Sequence, residues 1–427
     1  MIIGRSLLFP MKRWITQLQH RTFWQIPAGI WGLGLANFFM NISSILVFTF
    51  TPLFLKNVLG ASFAMVGAIE AVVESSALFT RIFSGVISDI AKKRKAFIGL
   101  GYGLSILSRV FLSLSAIPST VAASRVLDRV SNGIQASPRD ALVADLAPEH
   151  LRGRCYGLRH SLTTGGSLLG SGLGVLLAYW TSNHYRSIFW FSLIPAVLAL
   201  IALWILVKDK QLHPADRSES RSKFFSLSEA LDFLRFENLS KLPSTYWKLM
   251  VVSFLLMTGN FSGSFLIYAA EFHGAPGYML PLVMVIQNII VAPVAFYAGK
   301  FSDQLDRRLV LGVGIAFLAM ECLLLGTASH VWHVFLAVIF CGFEMGIIQS
   351  PLMGLITDNT PESLRGTAFG TLHLISGCAV FFSNLLIGSL WDISQFWAFS
   401  SIAILTIFAL IGLCFIPKSK IHARMDA

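Results

Sequence analysis

Charge is scarce in this chain. Only 13% of its 427 residues are Asp, Glu, Lys or Arg, about half the share that a soluble domain carries. Hydrophobic residues reach 55% and the mean hydropathy is +0.69, which excludes an ordinary water-soluble fold. Acidic residues are the rarer sign, 22 against 33 Lys and Arg. The resulting net charge of +11 does not mark a nucleic-acid partner, because the cations sit in loops between apolar runs. Cysteine is also sparse: five, at positions 155, 322, 341, 378 and 414, with no Cys-x-x-Cys pair. That excludes a disulfide framework and a zinc module, and no metal site is expected. No phosphate loop, dinucleotide fingerprint or nucleophile elbow is present, so neither an enzyme nor a bound cofactor is expected. Residues 1–23 lack an apolar run with the flanks of a cleaved signal. With Lys12, Arg13, Trp14 and Arg21, they are expected to lie along a membrane surface.

Apolar runs of spanning length recur, which selects helices over a barrel. Twelve spans are expected, at roughly 27–55, 61–88, 96–116, 119–146, 156–180, 186–208, 246–271, 277–300, 309–329, 331–358, 366–390 and 394–416. The chain also repeats itself. Gly133, Ser137, Pro138, Asp145, Pro148, Glu149, Leu151, Arg152, Gly153, Gly157 and His160 return 213 positions later. Their counterparts are Gly346, Ser350, Pro351, Asp358, Pro361, Glu362, Leu364, Arg365, Gly366, Gly370 and His373. Gly85, Asp89, Lys93 and Arg94 likewise return as Gly299, Asp303, Arg307 and Arg308. A duplicated unit with an even number of spans is a parallel repeat, an arrangement typical of secondary transporters.

The repeat divides the chain into an interfacial segment (1–26), a first six-helix bundle (27–208), a central loop (209–245), a second bundle (246–416) and a tail (417–427). Ser226 and Glu229 have capping-box spacing ahead of a leucine face, so the central loop is expected to hold a short amphipathic helix. Lys and Arg concentrate at Lys92 to Lys95, Arg152, Arg154, Arg307, Arg308 and the tail. By the positive-inside rule both termini are cytoplasmic.

The two six-helix units, the central loop and the Gly85-x-x-x-Asp89-x-x-x-Lys93-Arg94 pattern together resemble the major facilitator superfamily (MFS). The resemblance implies an all-α MFS fold of two parallel-repeat bundles, in a bacterial inner membrane, working as a monomer on a small solute and protons. It assigns a gating role to Gly85, Asp89, Lys93, Arg94, Asp303, Arg307 and Arg308, with Asp89 contacting the start of span eleven near Gly366. Gly166, Gly170 and Gly174 in span five resemble the family's glycine-rich antiporter stretch, and close helix packing explains them equally. Glu70, Glu74, Arg81, Asp128, Arg129 and the run from Ser137 to Leu142 are similar to a bacterial permease subgroup of the family.

The intramembrane charges carry the chemistry. Arg125, Asp128, Asn132, Gln135 and Arg139 form one stripe on span four, and Glu70 and Glu74 share a face of span two. Counted at 1.5 Å per residue, Glu70 is level with Arg125, Asp128 and Arg109, and Glu74 is level with Arg129. Six unpaired charges would cost on the order of 15–20 kcal/mol, so they must pair or face water. Such a network is either static or exchanges partners with a proton or a substrate group. The repeat replaces almost all of it: Glu70, Glu74, Arg125, Asp128 and Arg129 map to Met284, Asn288, Val338, Cys341 and Gly342. The second half has Glu321 and Glu344 instead, and Glu344 either titrates or pairs with an arginine of the first half.

Proton coupling is therefore expected at Glu74, Glu344, Glu70 and Asp128. Substrate contact is expected at Arg125, Arg129 and Arg109. The family resemblance places spans one, four, seven and ten around the cavity, which adds Asn37, Asn41, Asn260 and Tyr268. His330 and His333, i and i+3 at a span end, lack supporting metal ligands. The expected function is a proton-coupled secondary transporter. An uncoupled facilitator and a non-transporting receptor are the alternatives.

Overall fold

The computed structural model describes residues 26–91, 94–148, 151–207, 239–361 and 364–416. The expected amphipathic helix near Ser226 and nearly all of the interfacial segment lie outside them. The described residues fold into thirteen α-helices and one 3₁₀ turn. Spans one to six are Ala28–Asn57, Phe63–Ala91, Arg94–Ser113, Pro118–Leu146, Arg152–Trp180 and Tyr185–Leu206. Spans eight to twelve are Leu282–Gln304, Arg307–Gly326, Val331–Asp358, Arg365–Trp391 and Gln395–Leu413.

Nine helices among the described residues are long and apolar enough to cross a membrane. Spans two, four and seven are not among them. Span two is a continuous helix of 29 residues bearing Glu70, Glu74 and Arg81, and span four bears Arg125, Asp128, Arg129, Arg139, Asp140 and Asp145. Span seven differs from the expected continuous run. It is two helices, Ser244–Thr258 and Ser264–Phe272, interrupted at Gly259–Gly263. Gly259 stands at the break, and a Cβ there would meet Leu318 Cδ2 at 2.5 Å, so a larger residue would need that leucine to shift. The backbone freed by the break is satisfied from elsewhere in the protein, as membrane depth requires. The Ser262 amide donates to Asn384 Oδ1 at 2.8 Å, and the Ser264 amide donates to Ser262 Oγ.

Packing repeats between the halves. Span three lies on four, two on four, and three on six; correspondingly nine lies on ten, eight on ten, and nine on twelve. Across the halves, span two runs along span eleven and span eight along span five, which is the exchange a parallel repeat requires. One apolar cluster continues through both halves, with Leu46, Phe50 and Phe54 against Phe265, Tyr268 and Val283. Trp180, Trp204, Trp332 and Trp397 stand exposed on the outside of the bundle, where they suit lipid and its interfaces.

The two halves approach closely at Gly67 and Gly388. A Cβ on Gly67 would meet the Asn384 carbonyl oxygen at 2.5 Å and Gly388 Cα at 2.7 Å. Gly67→Ala is therefore expected to force spans two and eleven apart and to cost about 1–3 kcal/mol. A lowered Tm of the purified protein checks this, and an unchanged Tm would show that the helices separate freely. Gly166 and Gly170 do the same work inside the first half, seating span five against the backbone of Phe38 and Ile42.

Candidate functional site

The six intramembrane charges of the first half meet as three ion pairs. Glu70 and Glu74, one turn apart on span two, face Arg125 and Arg129, one turn apart on span four. Arg125 Nη2 lies 3.6 Å from Glu70 Oε2, and Arg129 Nη2 lies 2.8 Å from Glu74 Oε1. These are two rungs of a ladder. Phe48 of span one flanks both, with the guanidinium carbons 5.5 and 5.7 Å from its ring centre. The third pair joins Arg109 to Asp128 at 3.0 Å. The rungs differ in access to water. The Glu70 and Arg125 side chains are 0% and 1% exposed, whereas those of Glu74 and Arg129 are 25% and 18% exposed.

Arg109 is fully enclosed and its donors are spoken for. It donates to Asp128, to Ser43 and Ser44 of span one, and to the Ser105 carbonyl. Nothing is left for a solute. Arg125 is the opposite case: its Nε and Nη2 are buried and make no hydrogen bond.

Glu70 reaches beyond its own half. Ser262 Oγ donates to one carboxylate oxygen and Ser264 Oγ to the other, both at 3.1 Å. Ser264 opens the second helix of span seven, so the carboxylate sits at a helix N-terminus, where the macrodipole favours negative charge. Glu70 is thus held by Arg125 on one side and by the broken span of the other half on the other.

Further bonds close the same end of the bundle, its outer end under the orientation expected from the charge pattern. Asp392 at the end of span eleven accepts from the Phe63 and Ala64 amides at 3.0 and 2.9 Å, capping span two across the halves. Asn57 donates to Glu271 at 2.6 Å. The Tyr268 hydroxyl donates to the Pro52 carbonyl, and the Phe63 and Trp391 rings stack with centroids 5.1 Å apart. Among the described residues, these hydrogen bonds between the halves all lie at the level of Glu70 or outside it.

Several residues expected as ligands make hydrogen bonds between helices. Asn37 accepts from Tyr102 at 2.8 Å, and Asn41 donates to the Thr163 carbonyl at 3.0 Å. Tyr268 is buried at the outer contact, while Asn260 is exposed in the break of span seven. Glu344 does not pair with a first-half arginine among the described residues; it lies beside Glu321 and Cys341. Of the expected gating residues, Arg94 pairs with Asp145 at 2.8 Å and Arg307 with Asp358 at 2.9 Å. Asp145 and Asp358 are equivalent in the repeat, and each is held by the arginine that opens the preceding span, which ties two helices of one half. Arg308 holds Asp306 at 2.7 Å. The side chains of Asp89, Lys93 and Asp303 lie outside the described residues, while Gly85 lies within the helix of span two.

A family model for the major facilitator superfamily matches residues 33–382 and 271–424. The chain belongs to the major facilitator superfamily. An uncharacterized MFS-type transporter of Methanocaldococcus jannaschii is 25% identical over 401 residues, covering 92% of this chain and 96% of that protein. The quinolone resistance protein NorA of Staphylococcus aureus is 23% identical over 357 residues, covering 82% and 86%. Among solved structures, a D-xylose–proton symporter superposes with a TM-score of 0.69 at 15% identity, covering 92% and 98%. The all-α MFS fold expected from the resemblance is therefore the fold of this protein, a multi-pass membrane transporter. Sequence reasoning missed Ser262 and Ser264 as partners of Glu70. The signal was available, because a span interrupted by Gly259 and Gly263 is a pointer to a binding site in such folds.

Proposed function

We propose that this MFS protein is a secondary active transporter of a small organic solute, coupled to protons through the ladder of spans two and four. The observation that carries the reading is the placement of Glu70, which both halves hold. Opening the outer end removes Ser262 and Ser264 from Glu70 and leaves Arg125 in place. The charge on Glu70 and the position of the halves are then linked reciprocally. A proton on Glu70 weakens the outer closure, and outer opening favours that proton. Glu74 and Arg129, the wetter rung, form the path between Glu70 and the inner solvent. Arg109 and Asp128 serve as the fixed frame, so Asp128 is not a carrier in this reading. The free donors of Arg125 favour an anionic or zwitterionic solute. A relative named for quinolone resistance and a neighbour named as a sugar–proton symporter both support small organic solutes. The charge pattern supports a cytoplasmic membrane with both termini inside.

Proteoliposomes with an imposed pH gradient test this, using a solute chosen from a thermal-shift screen of organic acids and zwitterions. Glu74→Gln is expected to abolish gradient-driven accumulation and to retain solute exchange at equal pH. Accumulation at the wild-type level would remove Glu74 from the coupling path and favour an uncoupled facilitator.

A further inference from the structure

We infer that the second half holds a buried divalent-cation site formed by Glu321 of span nine and Cys341 and Glu344 of span ten. Cys341 and Glu344 share a helix face at i and i+3 spacing, and Glu321 meets them from the neighbouring helix. One ligand atom from each lies within 4.8 Å of the others. The three are 1%, 7% and 5% exposed. Glu321 Oε2 is buried with no hydrogen-bond partner. Gln287 of span eight closes the fourth side, its amide nitrogen 3.1 Å from Cys341 Sγ and 3.0 Å from Met345 Sδ.

The repeat says what is missing. The offset of 213 carries Asp128 to Cys341 and Arg109 to Cys322, the neighbour of Glu321. In the first half the space between spans three and four is filled by a cation, the Arg109 guanidinium, held by Asp128. In the second half the equivalent space between spans nine and ten receives two carboxylates and a thiol. No Lys or Arg among the described residues forms an ion pair with either carboxylate. Two adjacent buried carboxyl groups either stay protonated or take a positive partner. The first half built one in as a side chain, and the second half presents ligands for one from solution. Two carboxylate oxygens and a sulfur suit a borderline ion of the zinc type better than calcium or magnesium, which take oxygen alone. Zinc-type bonds of about 2.0–2.3 Å require only a small inward movement of these side chains. Binding would displace the thiol proton to solvent.

The test uses the tag-free full-length protein in detergent, titrated with Co²⁺ in the absence of solute. The expected result is one Co²⁺ per chain, with a near-ultraviolet charge-transfer band that reports a cobalt–thiolate bond. Cys341→Ser should remove the band. Glu321→Gln and Glu344→Gln should each weaken binding by at least roughly tenfold, as loss of one of few ligands does. Size-exclusion profiles show whether each variant is folded, and Cys341→Ala repeats the test where Cys341→Ser is not. No band in the wild type, or a band that survives loss of Cys341, overturns the site. So does cobalt binding that is lost only when His330 and His333 are replaced, since their rings lie 5.8 Å apart at a span end. Binding is read at rest, so the outcome is independent of whether the ladder couples protons.

Discussion

Arg109→Met is expected to be the most destabilising single change in the first half, at about 3–5 kcal/mol. The side chain is 0% exposed and ties three helices together. It donates to Asp128 on span four, to Ser43 and Ser44 on span one, and to a carbonyl of its own span. Methionine fills much of the volume and removes the charge. The loss then falls chiefly on Asp128, which keeps a buried carboxylate without its cation. That is the costly half of breaking a buried pair, and replacing both members is far cheaper. Arg109→Met combined with Asp128→Leu should therefore recover most of the Tm lost by the single variant. The remainder comes from Ser43 and Ser44, each left short of one partner at about 1 kcal/mol. Thermal unfolding of the three proteins in one detergent gives the comparison. A double variant as unstable as the single one would show that Arg109 acts through its serine contacts instead of through Asp128.

The architecture was legible because duplication and hydropathy are both written along the chain. Depth counting at 1.5 Å per residue also brought Glu70 level with Arg125 and Glu74 level with Arg129, and these are the pairs in the structure. Helical rise is regular, so register along parallel or antiparallel spans survives without coordinates. What the sequence did not reveal depends on rotation and on breaks. Asn37 and Asn41 look like a cavity stripe by spacing, yet each turns toward a neighbouring helix to bond Tyr102 and Thr163. Polar side chains in a bilayer gain from interhelical bonds whether or not a solute is near, so spacing alone does not separate the two uses. Span seven read as one run because the apolar flanks at 250–257 and 265–270 carry the average hydropathy across a short polar break. Its interruption alone puts two serine hydroxyls and a helix N-terminus opposite Glu70. The Glu321–Cys341–Glu344 cluster was hidden for a third reason. Its members come from two helices, and the repeat aligned them with residues of different chemistry.

Glu70→Gln is expected to open the outer end. The substitution keeps size and hydrogen-bonding capacity and removes one negative charge. Arg125 faces position 70 whether the halves are apart or together, so its loss of partner affects overall stability more than the balance of states. The bonds from Ser262 and Ser264 exist only when the outer end is closed. Hydrogen bonds to a charged group contribute about 1.5–3 kcal/mol, against about 0.5–1.5 for neutral ones. The carboxylate also gains about 0.3–1 kcal/mol from the helix N-terminus. Neutralising Glu70 therefore removes roughly 2 kcal/mol from the closed arrangement, about a thirtyfold shift toward outer opening. Spin labels at Val58→Cys and Phe272→Cys read this, since both positions are exposed beside the outer contact. Cys414, the exposed native cysteine among the described residues, is replaced by Ser in that background. The Glu70→Gln protein should show a longer distance population than wild type at neutral pH. Ser262→Ala with Ser264→Ala should lengthen the distance at every pH. Identical distance distributions in wild type and Glu70→Gln would end the case for Glu70 as the link between proton and conformation. The Asp392 cap and the Gly67–Gly388 contact would then carry the outer closure without it.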